Sequence, residues 1–308
     1  MSAHELFQSP WNFLGLPEDV STPGRARGWV LSIPYEATTS YGAGTREGPA
    51  AIIAASRQVE LYDREFACEP AMDYGVHTMS PLGLVVSSPD AMVEAVDEAV
   101  SSILCGRPKP ETLCILGGEH SISAGTARAL ARRLPKNSLV AVQIDAHADL
   151  RDEYEGSPYS HACAARRILD SCPLFQIAIR NISGGEEPFR RSSKRVKTVF
   201  AEEATAAKAP WLKDLARFVK GKSVFLTIDL DGLDPSIMPA VGTPEPGGIS
   251  WERTLEVVRV VTGNAKSVPV FDVVELAPIP GLRAPDFLSA QLVYKIFSYI
   301  LARKKLVR

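Results

Sequence analysis

Acids and histidines gather where four apolar stretches of this sequence end. In chain order they are Glu119 and His120, then Asp145, His147 and Asp149, then Asp229, Asp231 and Asp234, and finally Glu275. Carboxylates and imidazoles can bind divalent cations, and they can also exchange protons near neutral pH. The chain has only five histidines, so placing two of them among these acids points to a chemical role.

Two of these segments space their polar residues by two. In extended backbone alternate side chains lie on one face, so Asp145, His147 and Asp149 would share a face, as would Asp229 and Asp231. With the histidine of GGEHS, two imidazoles and four carboxylates could converge. Four adjacent carboxylates repel one another and need cations to stay ionised. The pattern therefore favours two divalent ions, with Mn²⁺ preferred and Fe²⁺, Co²⁺ or Zn²⁺ as alternatives.

Simpler interpretations exist for each motif taken alone. A single Asp-x-Asp at a strand end is often a helix cap or a turn, and Asp234 is expected to cap the turn at Pro235. The segment 229–234 is not an EF-hand loop, because its glycine stands in the fourth place rather than the sixth. The metal hypothesis rests on the combination of three strand ends.

The elements that must position these residues alternate along the chain. Apolar runs predict strands at 28–34, 112–116, 138–144, 174–179, 197–200, 223–228 and 268–273. Helical patterns lie at 49–62, 90–105, 122–134, 161–171, 209–220, 250–263 and 286–304. Strands that are apolar throughout are typical of parallel sheets covered on both faces. We therefore expect a three-layer α/β/α sandwich with a mostly parallel central sheet, as one domain spanning residues 1–308.

Ligands bind at the carboxyl ends of strands in open α/β sheets, where the acids and histidines stand. The strands predicted at 174–179 and 197–200 are exceptions, because no acid or histidine follows them directly. The polar segment 183–196 is predicted to be a surface loop, and its basic residues a solvated face.

Composition excludes several other functions. The 308 residues carry a net charge of −2, which gives no general attraction to nucleic acid or to anionic membranes. No apolar run reaches the roughly 20 residues of a spanning helix. The first residues, MSAHELFQSPWNF, show no signal-peptide pattern, and five cysteines without CxxC spacing suggest reduced thiols. We expect a cytoplasmic protein with a small-molecule substrate.

Taken in order, these motifs resemble the ureohydrolase family, the arginases, agmatinases and their relatives. The matching segments are SYGAGTREGP (40–49), GGEHS (117–121), DAHAD (145–149), SH (160–161), DLDGLDP (229–235), GTPEPGG (242–248) and DVVELAP (272–278). The resemblance implies an arginase-like sandwich with two Mn²⁺ ions per subunit, in a homotrimer or homohexamer. It also implies a ligand set for each ion: His120, Asp145, Asp149 and Asp229 for one, and His147, Asp145, Asp229 and Asp231 for the other.

The resemblance further implies hydrolysis of a guanidinium group to urea and an amine, with a metal-bridging hydroxide as the nucleophile. Asp149 would be a ligand that also accepts a hydrogen bond from that hydroxide. Glu275 matches the family residue that pairs with the guanidinium group, and His161 the one that shuttles protons. The alternatives are a structural histidine at a helix start for His161 and a salt bridge for Glu275.

The substrate's tail should be selected by the loop 151–159. Its acids Asp152, Glu153 and Glu155 outnumber the single cation Arg151, so the loop would attract a cationic tail. With GTPEPGG, it resembles bacterial and archaeal agmatinases, so we predict agmatine as the substrate, with urea and putrescine as products. Arg151 would favour a carboxylate tail if it pointed into the cleft, and agmatine stands if it pairs with another acid.

Other substrates and other classes remain as alternatives. Guanidinobutyrate, guanidinopropionate, aminopropylagmatine and arginine are the alternative guanidines. A deacetylase-like amidohydrolase with one Zn²⁺ would use fewer acids than this chain supplies. A metal-binding regulator without catalysis is the other alternative, and the complete ligand set argues against it.

Overall fold

A computed structural model describes residues 11–305 of the chain. Most of the segment MSAHELFQSPWNF, on which the prediction of no signal peptide rests, lies outside that range. Within it, no helix is both long enough and apolar enough to cross a membrane.

Eight strands form the central sheet. They are β1 (Gly28–Ile33), β2 (Val76–Thr78), β3 (Thr112–Gly117), β4 (Leu139–Ile144), β5 (Leu174–Ile179), β6 (Val196–Phe200), β7 (Ser223–Asp229) and β8 (Ser267–Val274). Their order across the sheet is β2-β1-β3-β8-β7-β4-β5-β6, and every neighbouring pair is parallel. The predicted fold class is therefore confirmed. The short edge strand β2 was not predicted.

Eleven α-helices lie in the described part of the chain. They are α1 (Glu18–Ser21), α2 (Gly48–Ser56), α3 (Pro70–Tyr74), α4 (Pro89–Cys105), α5 (Ser123–Arg133), α6 (Ala164–Ser171), α7 (Glu187–Ser192), α8 (Ala201–Thr205), α9 (Trp211–Val219), α10 (Trp251–Asn264) and α11 (Ala284–Leu301). Pro49 lies in the first turn of α2, and the Ser250 hydroxyl accepts the Arg253 N–H as the N-cap of α10, as the sequence predicted.

The helices cover both faces of the sheet. On one face α4, α5 and α6 pack against strand residues such as Leu31 and Ile115. On the other, α2, α9, α10 and α11 pack against alternate residues such as Val30 and Cys114. Because both faces are covered, the interior strands are apolar at nearly every position. Each buried Leu or Ile contributes roughly 1.5–3 kcal/mol to the hydrophobic stabilisation that fixes the strand ends.

The end of α2 and the segment 183–196 depart clearly from the sequence prediction. Helix α2 ends at Ser56 rather than near residue 62, because the Ser56 hydroxyl donates to the Ile53 carbonyl and accepts the Leu14 N–H. The predicted surface loop 183–196 contains α7, in which Glu187 pairs with arginines one turn further along. Local ion pairs support this short helix within the polar segment.

Candidate metal centre and active site

Four adjacent strands at the middle of the sheet supply the predicted site residues. In spatial order β3, β8, β7 and β4 are neighbours, although β3 and β4 are consecutive in the chain. His120, Glu275, Asp229 and Asp145 follow or end these strands in that same order. The fold thus brings together side chains that are up to 155 residues apart.

His120 faces three carboxylates. Its Nδ1 atom lies 3.2 Å from Oδ2 of Asp145, 3.2 Å from Oδ2 of Asp229 and 3.5 Å from Oδ2 of Asp149. The ring is buried, and Nδ1 makes no hydrogen bond within the described part of the chain. Its other nitrogen lies 2.9 Å from the Thr227 hydroxyl, which orients the ring. A ligand histidine is typically held in this way through its second nitrogen.

A second cluster shares Asp145 with the first. His147 Nδ1 lies 2.8 Å from Oδ2 of Asp231 and 3.8 Å from Oδ1 of Asp145. The second oxygen of Asp231 accepts the Ala146 N–H at 2.9 Å, so the Asp145 loop and the Asp231 loop hold each other. Asp229 accepts the N–H of Asp231 at 2.9 Å, which ties the two acids of DLD together.

The protein alone leaves this cluster electrostatically unbalanced. Burial and the neighbouring Asp145 raise the pKa of Asp149, and burial and Asp231 raise the pKa of Asp229, each well above its usual range. Burial opposes protonation of His147, but the Asp231 carboxylate prevails and raises its pKa to about 11. The raised pKa values of these acids reflect crowded negative charge, which bound cations would relieve.

The donor set fits two divalent cations. Ligand atoms of His120, Asp145 and Asp149 lie within 4.8 Å of one another, and so do those of Asp145, His147 and Asp231. Both groups contain Asp145, which could bridge two ions. Buried carboxylates with an unpaired imidazole nitrogen are ligands suited to Mn²⁺ or a similar ion. All six predicted ligands therefore converge, with Asp229 lying against His120.

Two of the predicted residues have left-handed backbone conformations. Asp149 has φ 51° and Glu275 has φ 68°. Such conformations cost roughly 1–3 kcal/mol each in residues other than glycine and cluster at functional sites. Oε1 of Glu275 accepts the backbone N–H of His120 at 2.6 Å, which fixes the carboxyl beside the first cluster. Burial and Glu119 raise the pKa of Glu275 to about 8.

A cleft of about 230 Å³ opens above the clusters. It is lined by both ligand histidines, by His161 and Glu275, and by the GTPEPGG loop through Thr243 and Glu245. Gly42 and Gly242 meet at its rim, where a Cβ on Gly42 would lie 2.6 Å from the Gly242 carbonyl. His161 and Glu275 therefore line the same cleft as the clusters.

The residues predicted to select the substrate's tail, Arg151, Asp152 and Glu153, differ in whether they line the cleft. Arg151 lines the cleft, with its guanidinium 4.9 Å from the centre of the Tyr154 ring and its Nε 4.0 Å from Glu186. Asp152 accepts a hydrogen bond from Arg167 at 2.7 Å. The cleft walls that the structure describes do not include Asp152 or Glu153. Of the three residues predicted to select the tail, the structure thus brings Arg151 to the cleft.

Asp234 has the structural role that the sequence predicted. Its carboxylate accepts the N–H groups of Ser236 and Gly248, at 2.9 Å and 3.1 Å. It thereby closes the turn at Pro235 onto the GTPEPGG loop.

Glu186 and Asn181 line the cleft but were not predicted as site residues. Glu186 lies in the segment predicted to be a surface loop, yet it is only 5% exposed. It accepts the backbone N–H groups of Leu150 and Ser183, both at 2.8 Å. Their position after β5 was the signal that could have predicted them, because that strand also ends at the cleft.

Comparison with known proteins agrees with this architecture. A family model described as the arginase family matches residues 27–298, and the chain belongs to that family. It is 39% identical over 303 residues to an N(1)-aminopropylagmatine ureohydrolase from Synechocystis sp., covering 97% of this chain and 96% of the relative. An agmatinase from Bacillus anthracis is 31% identical over 257 residues, covering 81% and 83%. The predicted ureohydrolase resemblance is thus confirmed.

A solved structure supports the same conclusion. The agmatine ureohydrolase of Thermoplasma volcanium matches with a TM-score of 0.79 and 26% identity, covering 99% of this chain and 98% of that one. The arginase-like arrangement of sheet and helices is therefore shared along nearly the whole chain.

Proposed function

We propose that this chain hydrolyses a guanidine with a polyamine tail, N(1)-aminopropylagmatine in first place, to urea and the corresponding amine. Loss of the amidino group from that substrate leaves spermidine. The 39% identity to a relative named for this substrate supports the choice. Agmatine, predicted from the sequence, is the second candidate, and the 31% identity to an agmatinase supports it.

The position of Glu275 beside the six clustered ligands carries the proposal of guanidine hydrolysis. One carboxylate oxygen is used by the His120 N–H at 2.6 Å, and the side chain reaches the cleft wall. A carboxylate fixed in this way matches a planar guanidinium group through charge-assisted hydrogen bonds. It would hold the guanidinium carbon over the cluster, where water attacks.

The six clustered residues would hold two Mn²⁺ ions, and such ions make water a nucleophile at neutral pH. Asp149 would accept a hydrogen bond from the attacking water. His161, whose pKa burial lowers, is neutral near pH 7 and can take up a proton and pass it to the leaving amine. The leaving nitrogen needs that proton because an amide anion is a poor leaving group.

The contacts of Arg151 support a cationic tail. Its Nε atom lies 4.0 Å from the Glu186 carboxylate and its guanidinium 4.9 Å from the centre of the Tyr154 ring, so two partners share its charge at the cleft wall. A carboxylate tail would have to compete with Glu186 for that cation. Glu245 lines the same cleft, so a tail with one or two ammonium groups meets acidic side chains there.

Urea release with added Mn²⁺ tests the proposal. The panel contains N(1)-aminopropylagmatine, agmatine, arginine, guanidinobutyrate and guanidinopropionate, and the first should give the highest kcat/KM. His147→Ala should abolish turnover with every substrate. A higher kcat/KM with a carboxylate-tailed guanidine would overturn the choice of tail. One tightly bound Zn²⁺ per chain with amidase activity would instead indicate the deacetylase-like alternative.

A further inference from the structure

A threonine hydroxyl joins His161 to a buried glutamate. Oγ1 of Thr38 donates to Oε1 of Glu119 at 2.7 Å. The same oxygen accepts the backbone N–H of His161 at 2.9 Å and lies 3.3 Å from Nδ1 of its ring. The three residues come from the loop after β1, the end of β3 and the turn that precedes α6.

The Glu119 side chain is fully buried, and both of its carboxylate oxygens accept hydrogen bonds. Its Oε2 atom accepts the backbone N–H groups of Ala37 and Thr38, at 2.5 Å and 2.7 Å. Its Oε1 atom accepts the Ser121 hydroxyl at 2.6 Å as well as that of Thr38. A carboxylate that accepts four hydrogen bonds has no hydrogen to give, so the hydrogen between it and Thr38 belongs to Thr38.

A hydroxyl group has one hydrogen and two lone pairs. Because the Thr38 hydrogen is directed to Glu119, its oxygen can only accept from His161. The contact with Nδ1 is then a hydrogen bond only if Nδ1 of the neutral ring carries the hydrogen, which leaves the lone pair on Nε2. Nε2 lies 3.4 Å from the hydroxyl of Ser40, a residue that lines the cleft.

We infer that Glu119 and Thr38 are positioning residues that set the orientation and tautomer of His161, so that Nε2 offers a lone pair to the cleft. This inference rests on the proposed function, in which His161 carries the proton. The second nitrogen of an imidazole base is commonly fixed by such a partner. A carboxylate could contact the ring directly at this position. Here the neutral Thr38 hydroxyl contacts the ring instead, and the Glu119 carboxylate fixes the direction of that hydroxyl.

Neighbouring groups are consistent with this arrangement. The Ser160 hydroxyl also lies 3.3 Å from Nδ1, and it can rotate to accept as readily as to donate. The Tyr154 ring meets the His161 ring edge-on, at 6.2 Å between centroids and 90° between planes, which restricts rotation of the imidazole.

The test compares Thr38→Val with Thr38→Ser, which differ in the hydroxyl, and uses Ser160→Ala as the control. Two-bond ¹H–¹⁵N spectra of the metal-free, ¹⁵N-histidine-labelled protein report each tautomer directly, and His161→Asn identifies the signals of His161. The native chain, Thr38→Ser and Ser160→Ala should show hydrogen on Nδ1. Thr38→Val should shift His161 toward hydrogen on Nε2, because the Ser160 hydroxyl that remains beside Nδ1 can donate to it.

Kinetics supply the second measurement. Thr38→Val should lower kcat by about 10²-fold with KM little changed, since a wrong tautomer removes proton transfer rather than binding. Thr38→Ser should stay within about threefold of the native chain, because it keeps the hydroxyl bond. An Nε2–H tautomer in the native protein would overturn the inference even if Thr38→Val did not fold. So would a Thr38→Val protein that keeps both the Nδ1–H tautomer and native kcat. If the native chain releases no urea from any guanidine, the proposed function fails while the tautomer result stands.

Discussion

Replacing Glu275 with glutamine isolates the charge that the proposed reaction needs. The glutamine oxygen can still accept the His120 N–H, which Oε1 of Glu275 accepts at 2.6 Å. The substitution keeps the volume of the side chain, so the left-handed backbone and the ligand cluster should persist. What is lost is the carboxylate charge that a guanidinium cation would stabilise, since the pKa of about 8 belongs to Glu275 without that cation beside it.

The size of the effect follows from burial. Glu275 is 8% exposed, so its pair with a guanidinium forms largely out of water. Removing one partner of such a pair costs roughly 3–5 kcal/mol, which corresponds to a fall in kcat/KM of about 10² to 5 × 10³-fold. The melting temperature and the two bound ions should be retained, because Glu275 is not among the clustered ligands.

The assay is urea release over a range of N(1)-aminopropylagmatine concentrations, with metal content measured on the same samples. Glu202→Gln, on the exposed side of α8, is the matched control and should behave like the native chain. A loss of less than about tenfold with both ions bound would refute the assignment of Glu275 to the guanidinium group.

Three further predictions concern the tail, the metals and their protons. Arg151→Ala should lower KM for cationic guanidines by up to about fivefold, since it frees Glu186 from a partly exposed pair. A large loss of kcat/KM with guanidinobutyrate alone would mean that Arg151 binds the tail. Asp231→Asn should reduce bound Mn²⁺ from two ions to one by metal analysis, whereas Asp234→Asn should keep both. The pKa values of His120 and His147 are raised in the metal-free chain, so metal binding must release at least two protons. Binding should therefore strengthen by roughly 2.7 kcal/mol per pH unit, and calorimetry in buffers of different ionisation enthalpy checks the proton count.

The sign of the pH effect on stability follows from the same groups. A histidine with a raised folded-state pKa stabilises the metal-free fold below its unfolded pKa of about 6.5, and this contribution is lost as pH rises through the folded value. Burial and acidic neighbours raise the pKa values of Asp149 and Asp229, so each loses stability in the same direction, starting above about pH 4. The gain in melting temperature on adding Mn²⁺ should thus grow from pH 6 to pH 8. A gain that is constant over this range would contradict the metal-free protonation described for the cluster.

The sequence predicted the convergence of the six clustered side chains well because their geometry depends on few choices. Strands such as β4 and β7 are apolar along their length, so their ends are visible as the first polar residues. Once the strands are parallel, their carboxyl ends lie at one edge, and the ligands at those ends must meet. The short strand β2 was not predicted, because three residues that pair with a single neighbouring strand are too few to show a periodic pattern.

The specificity loop could not be predicted in the same way. Arg151 lies beside Glu186, which stands 35 positions further along the chain, is buried and accepts two backbone N–H groups. No periodicity relates those two residues. The Thr38 hydroxyl likewise donates to Glu119, and only the folded loops show that this hydroxyl is already engaged. Side-chain partners between loops depend on tertiary contacts, which residue types alone do not specify.

The backbone at Asp149 and Glu275 explains how strand ends become a site. A residue that continued the extended conformation after β8 would direct its side chain across the sheet, toward a helix layer. The left-handed turn at Glu275 is held instead by its own N–H, which donates to the Gly118 carbonyl at 2.8 Å. Asp149 is held by its carbonyl, which accepts the Arg166 N–H at 2.9 Å. The strain of roughly 1–3 kcal/mol at each position is therefore offset by bonds to neighbouring segments, which hold the Asp149 carboxylate beside His120 and the Glu275 side chain at the cleft wall.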